Sequence, residues 1–145
     1  MRWRRLGLVA LVVLVVIQLV PVDRSNPPVT ETVSMTPAVE PILRRACFDC
    51  HSHETRWPWY AWVAPVSWLV AHDVHHARKH MDLSAWDTYT PKKRAKILDE
   101  LIEEVHEDEM PLWYYRLVHR DAVLSNDDLD TIDAWTGALL SVPRN

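Results

Sequence analysis

At 145 residues the chain is long enough for one domain with a modest core, and its net charge of −4 offers no basic field to hold nucleic acid. Its two glycines, Gly7 and Gly137, exclude a glycine-rich phosphate cradle and a GxSxG nucleophile elbow, so nucleotide-binding and hydrolase classes lack their motifs. The eight tryptophans are many for this size, and Cys47 and Cys50 are the only cysteines.

Arg2, Arg4 and Arg5 precede an apolar run from Leu6 to Val22 that is broken only by Gln18. About seventeen residues at ~1.5 Å each give ~26 Å, which predicts a single membrane-spanning helix within residues 1–22. The leading arginines put the N-terminus in the cytoplasm and the rest on the periplasmic or extracytoplasmic side of the inner membrane. A cleavable signal peptide competes with this reading. The run leaves through Val20-Pro21-Val22-Asp23-Arg24 with no A-x-A-like site, which favours an uncleaved anchor. Residues 23–36 are polar, hold Pro27-Pro28 and show no apolar period, so they read as an extended linker.

The domain proper, residues 37–145, opens with a helix starting near Pro37 or Pro41. Ile42, Leu43, Ala46, Cys47 and Cys50 recur along one helical stripe. The stripe ends in Ala46-Cys47-Phe48-Asp49-Cys50-His51, two thiols three residues apart with a histidine directly after the second. That is the attachment pattern of a c-type haem. Each thiol adds across one porphyrin vinyl group, the i, i+3 spacing points both sulfurs the same way, and His51 reaches the iron as a proximal ligand. A lone CxxC also suits half a zinc site or a redox dithiol. A zinc ribbon would need a second CxxC or a CxxC/HxxxH partner, and Cys47 and Cys50 are the only cysteines; a thioredoxin-like site would need a βαβ pattern, which the chain lacks.

The stretch His53 to Trp62 is too rich in proline and aromatics for a plain helix. Trp57 and Trp59 are candidates to shield a porphyrin face, with an ordinary core wall as the plainer role. Arg56 suits a haem propionate, because a guanidinium fork matches a carboxylate, and a surface salt bridge is its alternative.

The segments Gln18-Leu19-Val20-Pro21-Val22-Asp23-Arg24-Ser25-Asn26-Pro27-Pro28, Cys47-Phe48-Asp49-Cys50-His51-Ser52, Glu54-Thr55-Arg56-Trp57-Pro58-Trp59-Tyr60 and Ala64-Pro65-Val66-Ser67-Trp68-Leu69-Val70 resemble the bacterial haem-binding domain family. Its members are small, membrane-anchored, single-haem proteins related to cytochrome c. The likeness runs from the anchor to about Trp135. His53 stands where the family usually has asparagine, Ala77 where it has glycine, and Met81-Asp82-Leu83-Ser84-Ala85-Trp86 where it has LNFSEW. The resemblance implies haem binding.

Pro65 predicts a second helix running toward His80. His72, His76 and His80 share a face of it, with His75 beside them. Such a ladder is usually a solvated face, and metal or distal-iron binding is the sharper alternative. Thr90-Pro91 predicts a third helix, with Ile97, Leu98, Leu101, Ile102 and Val105 as its buried stripe. Its charges oppose the helix dipole: Lys92, Lys93, Arg94 and Lys96 open it, and Glu103, Glu104, Glu107, Asp108 and Glu109 close it. Helix stability does not explain that order. The acidic end suits tuning of the iron or docking of a basic partner.

Met110-Pro111 follows immediately. A thioether is a soft ligand for low-spin iron. A Met-Pro step after the middle helices supplies the sixth ligand in many cytochromes c, so the resemblance assigns that role to Met110, which would otherwise be core filler. Trp113, Tyr114, Tyr115 and Leu117 read as a loop lining the methionine side. A last helix starts at Ser125, with a Leu124–Leu129 staple and Leu129, Ile132, Trp135 and Leu139 buried. By resemblance it crosses the N-terminal helix, as in cytochromes c.

The expected architecture is an all-α, cytochrome-c-like domain around one covalently attached haem c, behind a single transmembrane helix. The expected function is electron transfer between redox partner proteins, a carrier more than a catalyst. A haem-based sensor or scaffold, or the haem subunit of a peroxidase-like enzyme, are the alternatives.

Overall fold

The computed structural model describes residues 2–141, and the outermost positions of the two end segments, 1 and 142–145, lie outside the described residues. The helices are α1 (Arg2–Ile17), α2 (Glu40–Ala46), α3 (Phe48–His51), α4 (Val66–His80), α5 (Pro91–His106), α6 (Trp113–Val118) and α7 (Asn126–Ser141). Among the described residues the only β pairing is one isolated parallel bridge, Glu31 to Ala85, so the fold is all-α.

Three helix starts follow the sequence signals. Pro65 precedes α4. The Thr90 hydroxyl caps α5 by accepting from the Lys93 amide at 3.3 Å. Ser125 and Asp128 satisfy one another's backbone amides at the start of α7, at 2.8 and 3.2 Å. Along α5 the buried residues are Ile97, Leu98, Leu101 and Val105, while Ile102 is only half-buried. Ile97, Leu98 and Leu101 meet Leu43, Phe48, Leu83, Trp86, Ile132 and Trp135 in one core. α7 packs chiefly on α5 and reaches α2 through the Arg45–Asp128 ion pair at 2.6 Å.

The structure departs from the sequence reading in four places. The helix expected to run through the cysteines breaks at Cys47, where φ −120° and ψ −37° leave the helical well. The chain resumes as α3, with the Cys47 carbonyl accepting the Cys50 and His51 amides at 3.2 and 2.9 Å. Trp113 to Val118 is a short helix rather than a loop. The segment 23–36 is extended but strapped to the domain: Val33 is fully buried, its amide donates to the Leu83 carbonyl at 2.9 Å, and the Trp135 indole donates to the Ser34 carbonyl at 2.8 Å.

The fourth departure is at the N-terminus. α1 has 16 residues, none buried, and among the described residues no helix is long and apolar enough to cross a membrane. The expected spanning helix stops at Ile17, where the next three amides close back only three residues, ahead of Pro21, and the chain there is fastened to the domain by Gln18. Its side chain donates to the Leu14 and Ala64 carbonyls at 2.9 and 3.2 Å and accepts the Ala64 amide at 2.9 Å.

Candidate functional site

The break at Cys47 and the turn after His51 shape the site. The Leu83 amide donates to the His51 carbonyl at 2.7 Å, the Ser52 hydroxyl to the Phe48 carbonyl at 2.7 Å and the Thr55 hydroxyl to the Asp49 carbonyl at 2.8 Å. His53, where the family usually has asparagine, is satisfied locally by Asp82 at 2.6 Å and the Pro28 carbonyl at 2.9 Å.

His51 is held in one tautomer. Its Nδ1–H donates to the Met81 carbonyl at 3.0 Å. Burial pulls its pKa below the ordinary histidine value, although the Met81 and Ala77 carbonyls push the other way. The ring is therefore neutral, and the Nε2 lone pair remains for a ligand bond.

That ring shares a cavity of about 520 Å³ with Cys47 and Met110. α5 lends it the apolar side chains Ile97, Leu101 and Val105 and the acidic Glu100, Glu103 and Glu104, and Glu107 joins them from just past its end. His76 and His80 of α4 are part of its wall, their rings 4.6 Å apart. Among the described residues no cluster of three or more His, Cys, Asp or Glu is arranged to hold a metal ion, so the histidine ladder is not such a site by itself.

Local chain geometry delivers Met110 to this place. α5 ends at His106, and Asp108 adopts the left-handed conformation (φ 61°), which aspartate tolerates better than most residues. The Glu109 and Met110 amides both return to the Glu104 carbonyl, at 3.0 and 3.1 Å, and reverse the chain. Arg116 of α6 closes the turn through an ion pair with the Asp108 carboxylate.

Cys50 opens into a second, mostly apolar cavity of about 400 Å³, together with Arg56 and Trp59. Arg56 is largely exposed and sits 3.8 Å from Asp49. Trp59 is 78 % exposed, so it is no core wall. Trp57 belongs to neither cavity, and its buried indole N–H has no partner. Tyr114 and Tyr115 also face this second cavity, not the methionine side.

The sequence reading did not foresee the polar network there. Tyr115 donates to Asp49 at 3.0 Å, Tyr114 donates to Asp73 at 2.9 Å, and the Tyr60 hydroxyl meets His119 Nε2 at 2.6 Å. Burial, followed by the partnering Asp73 carboxylate, pushes the Tyr114 phenol up to about 12; burial and Asp49 raise Tyr115 further. Side chains scattered over four elements leave no local signal.

Burial also pushes both thiols up to about 12, with Asp49 and Asp73 adding to the effect at Cys50. Disulfide exchange runs through the thiolate, so the pair is poorly set up as a redox dithiol. The donor set itself is one for haem: two protonated thiols, a neutral imidazole with a free Nε2, and a thioether in the same cavity as that imidazole.

The family described as the haem-binding domain matches residues 12–138. No curated protein and no solved structure matches the chain.

Proposed function

Because the chain belongs to the haem-binding domain family and haem is its cofactor, we propose that it is a monohaem c-type cytochrome that carries electrons. The observation carrying this reading is the meeting of His51, with its free Nε2, and Met110 in the cavity that Cys47 enters. When bound, haem supplies a one-electron iron couple. Cys47 and Cys50 would hold the haem, each through one thioether to a vinyl group. His51 would bind the iron through Nε2, with its ring plane fixed by the Met81 carbonyl. Met110 would offer its thioether to the iron, and a His/Met pair would raise the potential. Ile97, Leu101 and Val105 keep water from the iron, while the α5 glutamates set the local field.

The proposal also attaches the domain to the inner membrane through α1, on the periplasmic or extracytoplasmic side. Three arginines and the all-round exposure of an apolar helix support the attachment. The redox partners dock on the domain.

An absorption spectrum of the purified protein, oxidised and reduced, tests the ligation. Methionine on ferric iron gives a weak far-red charge-transfer band; a high-spin spectrum would mean an open site and favour the peroxidase-like or sensor alternatives. A denaturing gel stained for haem tests the attachment. Pigment that leaves the polypeptide would refute the thioethers.

A further inference from the structure

α1 is too short to cross a bilayer alone, and its foot is fastened to the domain. Its 16 residues rise ~24 Å against a ~30 Å hydrocarbon core. Gln18, just past its end, holds the Ala64 peptide through two hydrogen bonds of 2.9 and 3.2 Å. The surface at that foot is apolar. Trp59 is 78 % exposed, Trp62 61 % and Val63 47 %, with Val66, Leu69 and Val118 exposed beside them. Trp59, Val66, Leu69 and Val118 meet around the Cys50 cavity, so they form one continuous patch. Trp62 and Val63 belong to neither cavity, so nothing bound in a cavity accounts for their exposure.

Sequence and charge agree with this placement. No Asp, Glu, Lys or Arg lies between Arg56 and Asp73, although a quarter of the chain, 25 %, is charged. At the patch edge Arg24 lies 4.3 Å over the Trp62 ring and donates to the Ala61 carbonyl at 2.7 Å. A cation resting on an interfacial indole sits where lipid phosphates lie.

We infer that this patch, centred on Trp59, Trp62 and Val63, is a lipid-resting surface that sinks into the bilayer interface and fixes the domain's orientation. The inference rests on the attachment through α1 proposed above. Tryptophans favour the headgroup level, and interfacial elements bury their apolar face ~5–10 Å. That depth offsets much of the shortfall in helix length, a cost that otherwise falls on the bilayer. The patch places the Cys50 cavity against the membrane and leaves the Met110 side, with its glutamates, for soluble partners.

The test uses the full haem-loaded chain on phosphatidylcholine–phosphatidylglycerol vesicles, with and without phosphatidylcholine brominated on its acyl chains. Flotation reads attachment, and tryptophan quenching by the bromine reads contact. The expected result is that the wild type floats and is quenched, while Trp62→Phe, at a ring that lines neither cavity, floats equally and loses part of the quenched emission. An unchanged haem spectrum shows that the variant is folded. A chain that floats with identical quenching in both forms would overturn the lipid-resting surface alone and leave the patch to a protein partner. A chain that stays in solution would overturn both the surface and the attachment.

Discussion

Met110 and His51 are the two side chains on which the proposed chemistry depends, and each has a neighbour that fixes it. Replacing Met110 by histidine exchanges a soft thioether for a stronger nitrogen donor, and axial-ligand identity contributes to a span of ~0.8 V among haem proteins. Met110→His should therefore lower the reduction potential markedly in a redox titration and abolish the far-red band. An unchanged potential would remove Met110 from the iron. On the Cys50 side, Tyr115 donates to Asp49 and has its pKa raised by burial. The sign follows from linkage. Above pH ~10 the unfolded chain loses the phenol proton and the folded one keeps it, so stability is full below that pH and falls as pH rises. Tyr115→Phe should flatten that alkaline loss in urea-unfolding curves taken from neutral pH upward. Equal slopes for both proteins would place the titration elsewhere.

α5 carries its charges against its own dipole, and its place against the Met110 cavity gives those charges a use. Glu100, Glu103, Glu104 and Glu107 line the space beside Met110, where negative charge favours the oxidised iron. A unit charge at ~15 Å in an effective dielectric of ~20 contributes on the order of 1 kcal/mol. Glu103→Gln/Glu104→Gln should accordingly raise the potential, with a shift that shrinks as salt is added. No shift at low salt would leave the inverted charge order unexplained. This element was readable in advance because Thr90, Pro91 and the stripe through Val105 act through local physics, and the Ser125 start of α7 was readable for the same reason. The four-residue α3 and six-residue α6 are too short to show a helical period, so the break at Cys47 and the helix under Tyr114 were hidden. The Cys47–His51 motif stood out because covalent haem attachment would demand that spacing, whereas Met110 was singled out only through the family resemblance. The roles of Trp57 and Trp59 did not stand out, since an aromatic in a proline-rich stretch carries no sign of which way it faces.

At the scale of the whole molecule, one guanidinium ties three segments together, and nothing in the sequence reading singled it out. Arg78 of α4 donates from Nε to the Ser52 carbonyl at 2.9 Å and from Nη1 to the Ser25 carbonyl at 3.0 Å. Its Nη2 donates to Asn26 Oδ1 at 2.8 Å and to the Thr55 hydroxyl at 2.9 Å. The strap that follows α1, the turn after His51 and helix α4 therefore meet at a single side chain. Hydrogen bonds to a charged donor contribute roughly 1.5–3 kcal/mol each when buried, but two of these four are exposed and contribute less. Arg78→Ala should cost about 3 kcal/mol in urea unfolding, and Arg78→Lys should recover little, because an ammonium lacks the planar fork. The loss should also be local in a specific way. The Thr30, Glu31 and Val33 amides, bonded to the Leu83–Ser84 segment, should exchange faster with solvent, since the strap is pinned there and at Arg78. The His51 carbonyl is held by the Leu83 amide of that same segment, so loosening the strap should broaden the ligand field at the iron as well. Should Arg78→Ala unfold like the wild type with its strap amides equally protected, the strap would be passive and the domain would begin at α2.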